Sequence, residues 1–145
     1  MAKMKRVLIT GGSGYFGSLL MHKLRERGFA CVVFDLNDTS DRPSDVGFVQ
    51  GDIRDYARIE YASKGIDIVF HNVAQVPLAK DAGLFETVNS LGTENMLKAA
   101  LACQVKKVVY TSSSAVFGVP DANPVTEKTE PPTPTSYSFV EGMQL

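Results

Sequence analysis

The stretch Thr10-Gly11-Gly12-Ser13-Gly14-Tyr15-Phe16-Gly17 leaves an apolar run, Arg6 to Thr10, and opens a segment, Gly14 to Arg27, where Phe16, Leu19, Leu20, Lys23 and Leu24 recur at helical spacing until Gly28. A glycine-rich turn between a strand and a helix is built for a phosphate. One glycine lets the chain turn sharply, and the next lets backbone N–H groups approach a pyrophosphate. Gly17 lets the helix pack close, so that a dianion rests on the positive helix end. Ser13, Tyr15 and Phe16 stand in the same loop and join Gly11, Gly14 and Gly17 as candidate cofactor contacts. Asp35 completes the pattern, 18 residues beyond Gly17 and at the end of a second apolar run. A carboxylate there accepts from both ribose hydroxyls of an adenosine and repels a 2′-phosphate, which favours NAD over NADP. Arg42, in the loop that follows, is the residue that would take a 2′-phosphate instead.

Outward from this centre the same alternation continues. The strands read as Arg6 to Thr10, Ala30 to Phe34, Val46 to Gln50, Asp67 to His71 and Lys107 to Ser112. They are continuous apolar runs, the mark of a parallel sheet covered on both faces, so the fold class is α/β. Between them, Asp55 to Lys64 predicts a short helix with Asp55 as N-cap and Gly65 at its end. Phe85 to Gln104 predicts a long one with Val88, Leu91, Leu97 and Leu101 as its apolar stripe. Gly92 inside that helix costs ~1 kcal/mol against alanine, so close packing is its expected reason. From Gly118 onward Pro120, Pro124, Pro131, Pro132 and Pro134 break regular structure into an extended surface loop, with a short helix starting near Ser136. The domain reading is a nucleotide-binding core over 1–118, then a Pro-rich active-site loop and an incomplete helix over 119–145.

The charge balance, 15 Lys+Arg against 16 Asp+Glu for a net −1 over 145 residues, excludes a nucleic-acid wrapper or an anionic-membrane binder. No run approaches the ~20 apolar residues of a membrane span, and the N-terminus lacks a signal-peptide core, so a cytoplasmic protein with a small-molecule partner is expected. Cys31 and Cys103 have no metal-type spacing and read as buried, inert thiols; His22 and His71 are too few for a metal site, and none is expected.

Taken together, these motifs resemble the extended short-chain dehydrogenase/reductase family, the NAD-dependent sugar-nucleotide epimerases and dehydratases. The resemblance runs over residues 5–137. It is carried by the glycine turn, Asp35, Gly51-Asp52-Ile53-Arg54-Asp55, His71-Asn72-Val73-Ala74, Val88-Asn89-x-x-Gly92-Thr93-x-Asn95 and Tyr110-Thr111-Ser112-Ser113-Ser114-Ala115-Val116-Phe117-Gly118. It implies a Rossmann-like, doubly wound parallel sheet of at least five strands in the order 3-2-1-4-5, with the C-terminal part of the family fold missing. It further implies that Asp52 and Ile53 flank the adenine, that Asn72, Val73 and Ala74 lie along the pyrophosphate and ribose, and that Asn89 and Ser112 stand near the cofactor. Ser113, with Ser112 and Ser114 as neighbours, is the implied catalytic hydroxyl, and Tyr137 is the implied proton-transferring acid/base. Four residues beyond Tyr137 the family has a lysine. Here the residue is Glu141, whose charge raises a phenol's pKa instead of lowering it.

Two functions follow. One is an NAD-dependent oxidoreductase of the epimerase/dehydratase kind, acting on a secondary hydroxyl of a sugar nucleotide or, as a variant, of a steroid. The other is a truncated or divergent dinucleotide-binding domain without turnover. An exposed sheet edge at Val108 to Thr111 leads to an expectation of self-association, as a homo-oligomer.

Overall fold

Val7, Leu8 and Ile9 are wholly shielded from solvent. They belong to β1 (Arg6–Thr10), the central strand of a five-stranded parallel sheet. The computed structural model describes residues 4–75, 82–117 and 124–130. The other strands are β2 (Ala30–Asp35), β3 (Gly47–Gln50), β4 (Ile68–His71) and β5 (Lys107–Tyr110), in the order β3-β2-β1-β4-β5. That is the expected order, and every pairing is parallel.

Successive residues of β1 feed opposite faces. Val7 and Ile9 pack with Met21, Leu24, Cys31, Val33 and Val46 beneath α1 (Tyr15–Glu26). Leu8 packs on the other face with Phe34, Ile59, Val69, Met96 and Ala99, beneath α2 (Tyr56–Ser63) and α4 (Gly92–Ala102). Two cores on one sheet explain the continuous apolar runs: each strand must be apolar both up and down. Asp55 caps α2 as expected, its side chain accepting from the Arg58 N–H at 3.2 Å.

The long helix before β5 departs from its sequence reading. It begins as α3 (Ala82–Glu86), passes through a π-helical turn at Thr87–Leu91 and continues as α4. The expected apolar stripe is also displaced: Leu91 and Leu101 are exposed, at 42% and 82%, whereas Val88, Asn89, Thr93, Asn95, Met96, Ala99 and Ala100 are buried. Counted from Val88 at ordinary helical spacing, the buried face runs through Gly92, Asn95, Met96 and Ala99; it is built mainly of small and polar residues, so a stripe drawn through the leucines lands on the outer face. Gly92 behaves as expected, since a Cβ there would lie 2.6 Å from Ile53 Cγ2. In α1 the buried residues are Gly17, Met21 and Leu24, while Phe16 and Leu19 of the expected face are half-exposed.

The chain divides into two units, Met1–Thr111 and Ser112–Leu145. The first holds the whole sheet. Among the described residues of the second are a 3-10 turn at Ser114–Phe117, where the Val116 N–H reaches the Ser113 carbonyl at 3.3 Å, and a turn in which Thr126 and Thr129 bond each other. β5 stops at Tyr110, two residues before the expected end at Ser112. Tyr137, Glu141 and the short helix expected near Ser136 lie outside the described residues. Among the described residues no helix is long and apolar enough to cross a membrane.

Candidate functional site

β1 is flanked by β2 on one side and β4 on the other, so the strand order runs outward from it in both directions. In open α/β sheets the crevice at such a reversal, beyond the carboxyl ends of the strands, is where ligands bind. A cavity of about 550 Å³ lies there. Gly11, Ser13 and Gly14 line it from the turn after β1, and Phe34, Asp35, Leu36, Asn37 and Thr39 from the end of β2 and beyond. The turn after β3 contributes Gly51, Asp52, Ile53 and Arg54; the turn after β4 contributes Asn72, Val73, Ala74 and Gln75; Leu84 and Val88 complete the wall.

The glycine turn is shaped by what it lacks. A Cβ on Gly17 would stand 2.1 Å from the Gly11 carbonyl oxygen and 2.7 Å from Gly12 Cα, so the first turn of α1 rests directly on the loop backbone. Gly11 holds φ +68°, and its N–H bonds the Phe34 carbonyl at 2.9 Å. α1 starts at Gly14 with no side-chain cap and no acid in its first turn, leaving its positive end open to an anion. Asp35 ties the loop to β2: one carboxylate oxygen accepts the Ser13 N–H at 3.1 Å and the other the Leu36 N–H at 2.7 Å. Each oxygen keeps a further lone pair. The Ser13 hydroxyl is buried with no hydrogen-bond partner among the described residues.

Asp52 is gripped by its neighbour. Arg54 Nε lies 2.9 and 3.1 Å from its two oxygens and Nη2 2.5 Å from one, and this fork holds the Asp52 carboxyl below the usual carboxylate range. Ile53, 4% exposed, joins Phe34 and Val88 in an apolar wall beside it.

Behind the turn after β4 runs a buried polar chain. The Thr10 hydroxyl lies 2.7 Å from His71 Nδ1, and His71 Nε2 lies 3.2 Å from the Thr93 hydroxyl. Thr93 donates to the Asn89 carbonyl at 2.6 Å, and Thr10 Oγ1 accepts the Asn72 N–H at 3.2 Å. With the Thr93 proton used on Asn89, Nε2 must donate to Thr93, and in the neutral imidazole Nδ1 then accepts from the Thr10 hydroxyl. Burial agrees, pushing the His71 pKa down to about 4. Asn89 finishes the chain, its side-chain oxygen accepting the Gln75 N–H at 2.7 Å and its amide donating to the Gln75 carbonyl at 3.0 Å.

The structure therefore gathers Gly11, Ser13, Gly14, Asp35, Asp52, Ile53, Asn72, Val73 and Ala74 of the sequence candidates around one cavity. Gly17 supports that wall from behind. Asn89 is buried and holds Gln75, and the side chains of Tyr15 and Phe16 are exposed at 87% and 52%. Ser112 and Ser113 belong to the second unit. Phe34, Leu36, Asn37, Thr39, Gln75 and Leu84 are lining residues outside the quoted motifs, while Arg54 and Val88 lie within them but were given no site role. For Leu36, Asn37 and Thr39 the signal was available in their place just beyond Asp35. The two cysteines differ: Cys31 is buried, its thiol pushed up to about 11 by burial, but Cys103 is only half-buried, its thiol on the Glu60 carbonyl.

Fold and cavity together place the chain in the Rossmann-like class of doubly wound sheets. The model of the NAD dependent epimerase/dehydratase family matches residues 7–140, and the chain belongs to that family. It is 50% identical over 134 residues to an uncharacterized protein, y4nG, of Sinorhizobium fredii, covering 92% of this chain and 34% of that one. It is 35% identical over 113 residues to the human sterol-4-alpha-carboxylate 3-dehydrogenase, decarboxylating, covering 78% and 30%. Among solved structures, the UDP-glucose 4-epimerase of Thermus thermophilus in complex with NAD superposes with a TM-score of 0.81 at 33% identity, covering 93% of this chain and 47% of that one. The chain spans about a third of the length of the curated relatives it matches. Its residues fit the dinucleotide named in the family: an orphaned hydroxyl, a side-chain-free cradle at a helix start, and a carboxylate with acceptors to spare.

Proposed function

We propose that this chain is the cofactor-binding part of an NAD-dependent oxidoreductase that acts on a secondary hydroxyl, in the manner of a sugar-nucleotide epimerase or dehydratase. The observation that carries this reading is the single cavity joining the glycine turn to Asp35 and to Asn72, Val73 and Ala74. The backbone N–H groups at the start of α1, Tyr15 and Phe16 included, receive the pyrophosphate, and the Ser13 hydroxyl supplies a further donor. Asp35 accepts from the ribose diol, Asp52 accepts from the adenine amino group, and Ile53, Phe34 and Val88 cover the ring. NAD, when bound, supplies the acceptor for the hydride that leaves the substrate's carbinol carbon. Ser113 hydrogen-bonds the substrate oxygen, and Tyr137 takes the hydroxyl proton; both assignments rest on the family resemblance. The division of the chain into a cofactor core over 1–118 and an active-site segment over 119–145 belongs to the same proposal.

Calorimetric titration with NAD+ and NADP+ tests it. NAD+ is expected to bind more tightly than NADP+, and Asp35→Ala to weaken NAD+ about ten-fold or more, the loss of hydrogen bonds to a charged acceptor. A folded chain that binds neither nucleotide would sink the proposal. A second reading, a sterol or steroid dehydrogenase, is favoured by the 35% identity to the sterol-4-alpha-carboxylate enzyme. Turnover of a UDP-hexose against a 3-hydroxysteroid, assayed by NADH absorbance or product analysis on the complete protein, separates the two.

A further inference from the structure

The loop between β2 and β3 carries an ion pair that the cofactor reading does not use. Arg42 places Nε 2.7 Å from one oxygen of Asp38 and Nη2 2.8 Å from the other, a two-point fork. Its Nη1 donates to the Val46 carbonyl, and its guanidinium lies over the Phe48 ring, 5.5 Å from the centroid. All three nitrogens are thus engaged and one face is covered. The backbone N–H of Arg42 bonds the carbonyl of Thr39, which lines the cavity two residues beyond Asn37, on the side of Asp35. Arg54, the guanidinium that does line the cavity, is likewise committed, to Asp52.

We propose that Asp38 is a cofactor-selecting residue: by clamping Arg42 it withholds from the Asp35 rim the guanidinium that a 2′-phosphate would need. The inference rests on the dinucleotide reading above and adds a second discriminator to Asp35. Asp35 repels a 2′-phosphate directly, whereas Asp38 removes its counter-ion. A guanidinium and a phosphate make strong two-point bonds, so an Arg42 released from its fork would turn a repulsive rim into a receptive one. With the pair intact, NADP+ must break the fork, the Val46 bond and the Phe48 contact before it gains one.

The test is titration of NAD+ and NADP+ into the chain and into Asp38→Ala, Arg42→Met and the double variant, at low ionic strength where such pairing is least screened. Asp38→Ala is expected to raise the affinity ratio of NADP+ to NAD+ about ten-fold, one charge-assisted contact. Arg42→Met alone, which bares the Asp38 carboxylate, is expected not to raise the ratio, and the double variant to bring it back to about the starting value. An unchanged ratio in Asp38→Ala overturns the clamp, as does a gain that survives in the double variant, because removal of one negative charge then explains it. In both cases NAD+ binding by the unaltered chain leaves the cofactor reading standing, whereas an unaltered chain that binds neither nucleotide overturns both.

Discussion

The turn after β1 and the turn after β4 lie side by side at the reversal of the sheet, and they are held by opposite means. The first keeps its shape because side chains are missing: Gly17 lets α1 sit on the Gly11 carbonyl, within 2.1 Å of where a Cβ would be. The second keeps its shape because side chains distant in the chain reach it. Thr10 holds Asn72, and Asn89 holds both backbone groups of Gln75, 14 residues away. A shape made by absence is local and tolerates no addition. A shape made by a hydrogen-bonded chain is spread over β1, β4 and the π turn, and it fails in steps.

That contrast can be broken at its strong end first. Gly17→Ala is expected to destabilise by about 4 kcal/mol or more and to abolish NAD+ binding, because the atom it meets is backbone and cannot swing away. Urea unfolding alongside calorimetry measures both, and a variant of near-normal stability would show that the loop can give. His71 comes next. Its native pKa, about 4, lies below the unfolded value near 6.5, so between these pH values the unfolded chain holds a proton that the native one refuses. Stability therefore falls as pH drops through that window, by roughly 3 kcal/mol in all, and levels off below pH 4. Denaturation curves of the wild type and His71→Gln across the window isolate this contribution from that of the carboxylates, and parallel pH profiles would refute it.

Asn89→Ala strips the partners from the Gln75 backbone and is expected to cost about 2 kcal/mol, the price of leaving two half-buried backbone groups unpaired, with weaker NAD+ binding at the same time. Hydrogen exchange at the Gln75 amide reports the loss directly; retained protection would mean that another group holds the turn. The smallest effect is expected at Gly92. Alanine there gains about 1 kcal/mol of helix propensity but meets Cγ2 of the buried, β-branched Ile53 at 2.6 Å, an overpacking that costs more than the gain, so a net loss of about 1 kcal/mol is expected. Because Ile53 lines the cavity, the displaced methyl should appear as weakened nucleotide binding. Unaltered binding would show that Ile53 turns aside without narrowing the cavity.

Legibility in the sequence follows the same divide. The strands were readable because each is apolar on both faces, and the glycine turn and Asp35 because their chemistry lies within a short span of chain. The stripe on the long helix was misread at Leu91 and Leu101, since the face that is buried carries Gly92, Thr93, Asn95, Ala99 and Ala100, small or polar residues that a search for apolar side chains passes over. The Thr10, His71, Thr93 and Asn89 chain was invisible for another reason. Each residue alone has an ordinary explanation, and only the register Thr10↔His71 makes them neighbours. Arg42 shows the limit most clearly: its position in the sequence made it a partner for a 2′-phosphate, and its geometry commits it to Asp38, Val46 and Phe48.

What the sequence determined by itself is the class of fold, the strand order expected for that class, and the residues at strand ends that meet around a cavity. Apolar continuity, turn glycines and strand-end acids act through the backbone next to them, so a linear reading captures them. Which charges are free and which are spent, which face of the long helix is buried, and that a neutral histidine stands between two threonines were decided only by the tertiary structure. Those properties depend on who reaches whom across 20 to 60 residues of chain, as with His71, 61 positions from Thr10 and 22 from Thr93.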